Sequence, residues 1–318
     1  MKMNPLLASI ALTLSAAVLT PAMVPAAEAP APAPTPMQTI ATIPTNGLEG
    51  LEVDADGTLY VTDATAHVIH RIQQNGAVSR FASLDAVPQV IVHSTRGWLV
   101  TAQEREPDFA AIAKSGRPLG TDTMGALGAM LLELDRNGRV IRRLRGPPGA
   151  FFNGMARLGQ AVLIADSTAA TIWRADARKN ELTAWLRSPL LAGQGGHFPG
   201  ANGLKVANGY VYVSNTTANA LYRIAVNAAG SPDGKLELVA TVKSPDDFAV
   251  AKDDSVYLPS EGVLMRISAG GVVTRLAEGC VGCDAALLAE NGRALLMVTH
   301  GFGPDAGPGH VYRLGLAP

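Results

Sequence analysis

The stretch FPGANGLKVANGYVYVSNTTANALYRI, residues 198–224, contains the pattern that decides the fold. An Asn-Gly pair, which favours a tight turn, stands just ahead of short runs in which apolar and polar residues alternate. The runs YVYVSN and ALYRI have the length and the β-branched and aromatic content of strands. The stretch therefore predicts consecutive short strands that open with a turn.

The same pattern recurs along the chain. The runs GTLYVTD, AVLIADS and SVYLPS are each followed by a second strand-like run, which reads HVIHRI, TIWRAD or GVLMRI. Units open at GLEGLEV, VPQVIV, FFNGMA, GANGLKV, PDDFAV and CDAALLA, mostly about 40 to 50 residues apart, which is the repeat length of a propeller blade. Residues 104–128 form a longer excursion inside the second unit. The sequence predicts an all-β fold, a six-bladed β-propeller of four-stranded blades.

The two ends of the repeat region are expected to share one blade. The last unit ends at GHVYRLGLAP with no fourth strand of its own, whereas MQTIATIP, residues 37–44, has the missing alternating pattern. If residues 37–44 supply the outer strand of the last blade, no sheet edge stays open at the seam. We predict that this N-terminal strand closes the ring.

The segment before the propeller has the features of a secretory signal. Residues 1–29 contain Lys2, an apolar run from Leu6 to Leu19 and small residues thereafter. The run is shorter than the roughly 20 residues of a membrane helix, so we predict a cleaved signal peptide and no membrane span after processing. Residues 30–36 are a Pro/Ala-rich tether, and residues 37–318 are the propeller domain. The protein is predicted to be periplasmic or secreted.

Cysteine content and charge narrow the function further. Cys280 and Cys283 are spaced like one half of a zinc site, but no second pair of Cys or His ligands stands at a matching spacing elsewhere in the sequence. In an oxidising compartment they are therefore expected to form a local disulfide. The chain has 26 Lys and Arg against 27 Asp and Glu, a net charge of −1. Such a balance offers no basic field for nucleic acid. A small molecule is the expected partner.

Five unit openings carry an oxygen-bearing side chain just ahead of the innermost strand. These residues are Glu49, Asn153, Asn202, Asp246 and Asp284. In a propeller, equivalent positions converge on the mouth of the central channel. Carboxylates that face one another repel, and a divalent cation that takes carboxylate and amide oxygens would stabilise them. The alternative is that they are ordinary turn residues.

The blade pattern resembles the senescence marker protein/gluconolactonase family (regucalcin and lactonases) over about residues 47–316, and more distantly NHL and strictosidine-synthase-type propellers. The pairs at 49–50, 202–203 and 245–246 look like the Glu, Asn and Asp that bind the family's metal. By this resemblance Glu49, Asn202 and Asp246 would be the metal ligands. Asp246 would also be the general base, and Asn153 would contact substrate or metal.

The resemblance implies a metal-dependent hydrolase of lactone or ester bonds with one divalent cation. Ca²⁺ is the first candidate, and Zn²⁺, Mn²⁺ or Mg²⁺ are the others. The cation would act as a Lewis acid on the carbonyl oxygen. The chain has no G-x-S-x-G elbow, which agrees with a reaction that needs no serine nucleophile.

The sequence departs from the family pattern around the third and fifth openings. Phe151 and Phe152 stand where lactonases tend to carry Arg, and Asp247 replaces a Gly, which argues against a sugar-acid substrate. A pocket rimmed by Phe151, Phe152, Met155 and Phe198 would suit an apolar ligand, and the alternative is that these side chains belong to the core, the commoner place for aromatic residues beside an inner strand. His197 is a further candidate substrate contact. His300, near an inner strand, is interpreted as a hydrogen-bonded neutral side chain, with the channel as the alternative.

Two other functions stay open. One is a non-catalytic propeller that binds a ligand or a protein at its mouth, since fold does not fix function. The other is a metal-free propeller enzyme with an apolar cavity, because parts of the pattern also resemble propellers found beside natural-product genes. The metal content of the protein would separate both from the hydrolase.

Overall fold

The computed structural model describes residues 37–108, 114, 120–176, 179–301 and 307–316. The predicted signal peptide and tether lie outside the described residues. The strands within them are β1 Gln38–Ile43, β2 Leu48–Val53, β3 Leu59–Asp63, β4 Val68–Ile72, β5 Val78–Ser83, β6 Val87–His93, β7 Gly97–Gln103, β8 Ala129–Asp135, β9 Val140–Arg145, β10 Phe152–Leu158, β11 Ala161–Asp166, β12 Thr171–Asp176, β13 Glu181–Arg187, β14 Ala201–Ala207, β15 Tyr210–Asn215, β16 Ala220–Val226, β17 Pro232–Thr241, β18 Ala249–Val250, β19 Val256–Ser260, β20 Gly262–Ile267, β21 Val273–Cys280, β22 Cys283–Ala289, β23 Ala294–Thr299 and β24 Gly309–Gly315.

These strands form six four-stranded antiparallel sheets, which confirms the predicted six-bladed propeller. Blades 1 to 5 are β2–β5, β6–β9, β10–β13, β14–β17 and β18–β21, each running outward in chain order, and blade 6 is β22-β23-β24-β1. Short helical segments are α1 Thr121–Gly125 and the 3₁₀ turns Pro189–Leu191, Gln194–Gly196 and Glu290–Gly292. The excursion at residues 104–128 is thus partly helical. No helix among the described residues is long and apolar enough to cross a membrane.

The seam of the ring is closed by the N-terminal strand, as predicted. β1 pairs antiparallel with β24, with Gln38 opposite Arg313 and Ile43 opposite Gly309. Thr42 Oγ1 lies 3.1 Å from His310 Nδ1 across the same pair. Because β1 covers the outer edge of β24, the first and last strands of the domain stabilise the same blade.

Apolar side chains fill the spaces between neighbouring blades. One cluster joins blades 6 and 1 through Leu48, Leu51 and Val298, and another joins blades 1 and 2. In the second, Trp98 packs on Tyr60 with ring centroids 4.1 Å apart. The alternation of each strand therefore buries one set of side chains against each neighbouring blade.

A bulge recurs near the start of the inner strands. In blade 1, Leu48 is opposite Asp63 but Leu51 is opposite Val61, so one extra residue interrupts the ladder after Leu48. Register shifts of the same size occur in blades 2, 3 and 4. In blade 6 a comparable shift falls at Asp284. A bulge redirects a side chain, and in these five blades it brings the residue at the blade opening to the channel.

Adjacent inner strands approach closely at these bulges. A Cβ at Gly154 would lie 2.3 Å from the carbonyl oxygen of Asn202, and one at Gly203 would lie 2.7 Å from that of Asp246. The glycines are therefore required by the neighbouring blade's backbone and do more than permit a turn. Hydroxyls secure the same contacts: Thr101 Oγ1 accepts the N–H of Val90 at 3.1 Å and donates to the carbonyl of Asn153 at 2.8 Å.

The cysteine pair forms the expected local disulfide. Cys280 and Cys283 are joined, with their Cα atoms 5.3 Å apart. The bond closes the turn between β21 and β22, and Cys283 lies one residue before Asp284. It therefore constrains the backbone at the opening of blade 6.

Candidate functional site

The inner strands begin around a cavity of about 510 Å³ at one end of the central channel. We call this end the acidic mouth. All six blades contribute the residue at their opening to its lining, namely Glu49, Gln89, Asn153, Asn202, Asp246 and Asp284. The structure thus brings together the five residues that the sequence placed on one ring. A larger recess of about 870 Å³ lies between blades 1 and 6 and contains none of them.

Gln89 is the ring residue that sequence reasoning missed. It stands in VPQV, the opening of blade 2. In FFNG and GANG, the openings of blades 3 and 4, the polar residue is followed by glycine, whereas Gln89 is followed by valine. Its side chain is buried and lines the same cavity. Alignment of the six openings by their strand pattern, without the glycine, would have identified it.

Three carboxylates meet in the acidic mouth. Burial, followed by the charges of Glu49 and Asp247, raises the pKa of Asp246 to about 8. Burial, followed by the charges of Asp246 and Glu49, raises the pKa of Asp284 well above its ordinary value. The ionised forms of these acids are therefore destabilised by burial and by one another. A bound cation would relieve both effects.

His300, at the end of β23, is the cationic side chain of this cluster. Its Nδ1 lies 2.5 Å from Glu49 Oε2 and 3.3 Å from Asp284 Oδ2. Burial lowers the pKa of His300, but the charge of Glu49 and the hydrogen bond to it outweigh that effect, so the net pKa is raised. The imidazole thus belongs to the candidate site and is favoured in its charged form, where the sequence had suggested a neutral packed side chain.

The amide of Asn202 gives an independent indication of a ligand. The side chain is only 1% exposed, and its Nδ2 donates to Thr216 Oγ1 at 2.9 Å. Its Oδ1 is buried without a hydrogen-bond partner among the described residues. A buried, unsatisfied carbonyl oxygen is costly, and a hard cation would satisfy it.

The donor set fits a metal ion. One ligand atom each of Glu49, Asp284 and His300 lie within 4.8 Å of one another, a separation that ligands of a common ion can have. Asn202 and Asp246 line the same cavity, and Asp246 is close enough to Asn202 for a hydrogen bond between their side chains. The predicted ligands Glu49, Asn202 and Asp246 are therefore gathered at one place.

The predicted substrate contacts are placed differently from one another. Asn153 and Phe151 line the cavity, whereas His197 is exposed, pairs through its backbone with Gly120 and is not among the lining residues. Phe198 lines the cavity and packs edge-to-face on Phe151, with ring centroids 4.8 Å apart.

For Phe152 and Met155 the alternative of core packing holds, and neither residue rims the acidic mouth. Both are fully buried in the apolar cluster that joins blades 2 and 3. The two residues are three apart, which in a regular strand would place them on opposite faces, and the bulge between them brings both to the same face.

The other end of the channel, which we call the paired mouth, has a cavity of about 410 Å³ lined by Glu52, His93, Lys205 and Asp247. Lys205 Nζ lies 2.5 Å from both carboxylate oxygens of Asp247. Burial raises the pKa of Asp247, and the charge of Lys205 partly offsets that rise. The carboxylate next to Asp246 in the sequence is therefore already neutralised within the protein.

Comparisons with known proteins identify the fold. No protein-family model matches the sequence, and no curated protein sequence matches it. Among solved structures, the regucalcin of Agrobacterium tumefaciens, described as a calcium-binding protein, is 16% identical, with a TM-score of 0.62 over 89% of this chain and 94% of that one. A gluconolactonase from Xanthomonas campestris is 14% identical, with a TM-score of 0.65 over 89% and 90%.

Another chain with this fold is the virginiamycin B lyase of Staphylococcus aureus, which is 12% identical with a TM-score of 0.56 over 89% and 99% of the two chains. Identities this low establish shared architecture, and function has to be argued from the site. The predicted resemblance to regucalcin and the gluconolactonases is confirmed at the level of structure: this chain has their six-bladed propeller fold.

Proposed function

We propose that this protein is a metal-dependent hydrolase of lactone or ester bonds. The observation that carries the proposal is the unsatisfied Oδ1 of Asn202 in a cavity that is also lined by Glu49, Asp246 and Asp284. Gathering these carboxylates and the unsatisfied oxygen in one cavity lowers the stability of the folded chain, and a bound cation would offset that loss. Its location at the channel of a fold shared with a gluconolactonase supports the reaction class.

Glu49, Asn202 and Asp246 would hold the cation, with Asp284 and His300 beside them. The oxygen donors favour Ca²⁺, which regucalcin is also described as binding, and the nitrogen of His300, once it has lost its proton, would suit Zn²⁺ or Mn²⁺. When bound, the cation would polarise the substrate carbonyl as a Lewis acid and stabilise the charge that develops on its oxygen.

Asp246 is the proposed general base. Its pKa of about 8 in the ion-free protein lies near neutrality, and a nearby cation would lower it, so the carboxylate could accept a proton from water at neutral pH. The water oxygen would then form a bond to the carbonyl carbon, and the bond from that carbon to the ring oxygen would break. The proton on Asp246 would pass to the departing oxygen, giving a hydroxy acid.

Two further side chains would have positioning roles, Asn153 toward the substrate and His300 toward Glu49. Asn153 lines the cavity on blade 3, across the ring from blade 6, and its amide can donate a hydrogen bond to the substrate. His300 is bonded to Glu49 and would hold that carboxylate in place. Both roles depend on positioning, which lowers the barrier without a covalent intermediate.

The proposal is tested by assaying lactones and aryl esters with chelator-treated protein, with and without added Ca²⁺, Mn²⁺ or Zn²⁺. We expect hydrolysis that disappears on chelation and returns with one of these ions. Hydrolysis that chelation leaves unchanged would contradict the proposed metal dependence. Product analysis separates hydrolysis from elimination, the alternative raised by the fold shared with the lyase, because elimination adds no water.

We also propose that the protein is exported. The support is the signal-like composition of residues 1–29 and the disulfide between Cys280 and Cys283, a bond that persists in oxidising compartments. Cell fractionation with an antibody against the propeller would test this, since export predicts recovery outside the cytoplasm with the N-terminal segment removed.

A further inference from the structure

The acidic mouth has a second wall of opposite character. Its apolar side chains are Met124 from α1, Phe151 just before β10, and Phe198 just before β14. Met124, Phe151 and Leu127 are buried together, and Phe198 packs against them. The wall is therefore a compact hydrophobic cluster of its own, separate from the clusters between blades.

The apolar wall lies across the channel from the acidic cluster. The inner strands contact one another in the ring order β2, β6, β10, β14, β18 and β22, and β22 contacts β2 again. Blade 3, which carries Phe151, is thus opposite blade 6, which carries Asp284 and His300. A molecule that fills the cavity meets charge at one side and aromatic rings at the other.

Three hydroxyl groups in the lining are already occupied as donors. Thr216 Oγ1 donates to the carbonyl of Pro245 at 2.7 Å, Ser260 Oγ donates to that of Lys243 at 2.6 Å, and Thr65 Oγ1 donates to the side chain of Asn46 at 3.1 Å. A ligand rich in hydroxyls would lose hydrogen bonds to water when it binds, and the apolar wall offers no groups to replace them, so its binding would cost free energy. An alkyl or aryl group would gain from leaving water at the same place.

We propose, resting on the proposed hydrolysis, that the substrates are lactones or esters with an apolar alkyl or aryl substituent. The carbonyl lies at the acidic cluster, and the substituent packs on Met124, Phe151 and Phe198. A cavity of about 510 Å³ has room for on the order of 15 non-hydrogen atoms, enough for a lactone ring and a side chain of several carbons. Polyhydroxylated sugar lactones are poor ligands.

The test measures binding separately from turnover. Calorimetry with γ-lactams, which resemble γ-lactones but resist hydrolysis, would use alkyl side chains of about one to seven carbons, with a polyhydroxylated lactam for comparison. We expect affinity to rise about threefold per added methylene until the cavity is full, since each buried methylene contributes at that scale. Affinity that is independent of chain length, or tightest for the polyhydroxylated lactam, would overturn the inference.

A matched pair of variants locates the effect. Phe198→Ala should weaken binding of the longest lactam about tenfold and that of the shortest by less than twofold. Phe81→Ala is the control, because Phe81 is also a half-buried phenylalanine that packs on Trp98, away from the cavity. Equal loss in both variants would contradict the assigned wall. If Phe198→Ala does not fold, the chain-length series on the unaltered protein still decides.

Failure of the two proposals can be distinguished. Rising lactam affinity without hydrolysis of any lactone would support the apolar ligand and reject the hydrolase. Metal-dependent hydrolysis that prefers sugar lactones would support the hydrolase and reject the apolar substrate class.

Discussion

Asp246 and Asp247 are adjacent in the sequence, yet their side chains line different cavities of the channel, that of Asp246 partly buried and that of Asp247 buried. Asp247, at the paired mouth, has Lys205 within 2.5 Å of both carboxylate oxygens. Asp246, at the acidic mouth, faces Glu49 and Asp284, and its pKa is raised to about 8. The comparison separates Asp247, a carboxylate that a lysine of the same chain neutralises, from Asp246, a carboxylate that a bound cation would stabilise.

Burial of a carboxylate is not by itself a sign of function here. Asp166 is fully buried at the end of β11, but its oxygens accept hydrogen bonds from the Trp173 indole at 2.9 Å and from the N–H of Phe151 at 3.1 Å. Asp63 is equally buried in blade 1; burial raises its pKa, but its bonds to His70 and to backbone N–H groups outweigh this, so the net pKa is lowered. Satisfied carboxylates secure turns, whereas those of the acidic mouth have one another as neighbours.

The largest expected effect separates the two adjacent aspartates. Asp246→Asn keeps the size of the side chain but removes the base, so turnover should fall on the order of a hundredfold or more even with saturating metal. Asp247→Asn is the matched control at the paired mouth and should leave turnover nearly unchanged. Steady-state kinetics on folded variants measures both, and equal losses would remove the distinction between the two ends.

Breaking the ion pair at the paired mouth should lower the stability of the protein. Lys205→Met leaves Asp247 without its cation, and we expect the free energy of unfolding to fall by about 2 kcal/mol, because the Lys205 side chain is 22% exposed and the cost is below that of a fully buried pair. Urea denaturation measures this. The double variant Lys205→Met/Asp247→Leu should recover part of the loss, and metal affinity should not change. No loss of stability in the single variant would show that the ion pair is dispensable.

Two buried asparagines, Asn202 and Asn215, are expected to differ in their effects on metal affinity and stability. Asn202→Ala removes an unsatisfied oxygen together with an amide N–H that donates to Thr216, so metal affinity should fall about tenfold while stability falls less than in Asn215→Ala. Asn215→Ala removes an amide that donates to the carbonyls of Leu190 and Ala192, both at 2.9 Å, so stability should fall without a change in metal affinity. Calorimetric titration and thermal melting would reveal the opposite pattern if Asn202 were structural.

The smallest predicted effect concerns pH. The folded-state pKa of Asp246 is about 8 and its unfolded value is near 3.8, so the folded protein holds this proton between those values. Stability of the ion-free protein should therefore be greater at pH 6 than at pH 8, by on the order of 1 kcal/mol. The raised pKa of His300 acts in the same direction. Asp246→Asn should flatten the dependence, and an unchanged slope in that variant would refute the assignment.

Much of the architecture follows from local sequence. Alternation, turn residues and the repeat length predict the six blades, and the unpaired pattern at residues 37–44 predicts the strand that closes the ring. The convergence of Glu49, Asn202 and Asp246 also follows, because equivalent positions of a propeller meet at its axis. Each of these inferences needs only the blade repeat.

The rest depends on contacts that the repeat does not contain. Lys205 meets Asp247 because β14 and the opening of blade 5 are neighbours in the ring. The blade repeat predicts that the two blades are neighbours, but it does not predict which of their charged side chains form a pair. The orientation of Phe152 and Met155 depends on a one-residue bulge, which a strand pattern does not reveal. His300 becomes part of the site only when blade 6 meets blade 1 at the seam.

The most direct test of the account is a calorimetric titration of chelator-treated protein with Ca²⁺ and, separately, with Mn²⁺. We expect one ion per chain, lost in Glu49→Ala and in Asp246→Ala and retained in Asp247→Asn. Tight stoichiometric binding that survives both Glu49→Ala and Asp246→Ala, or that disappears in Asp247→Asn, would contradict the claim that Glu49 and Asp246 at the acidic mouth form the metal site.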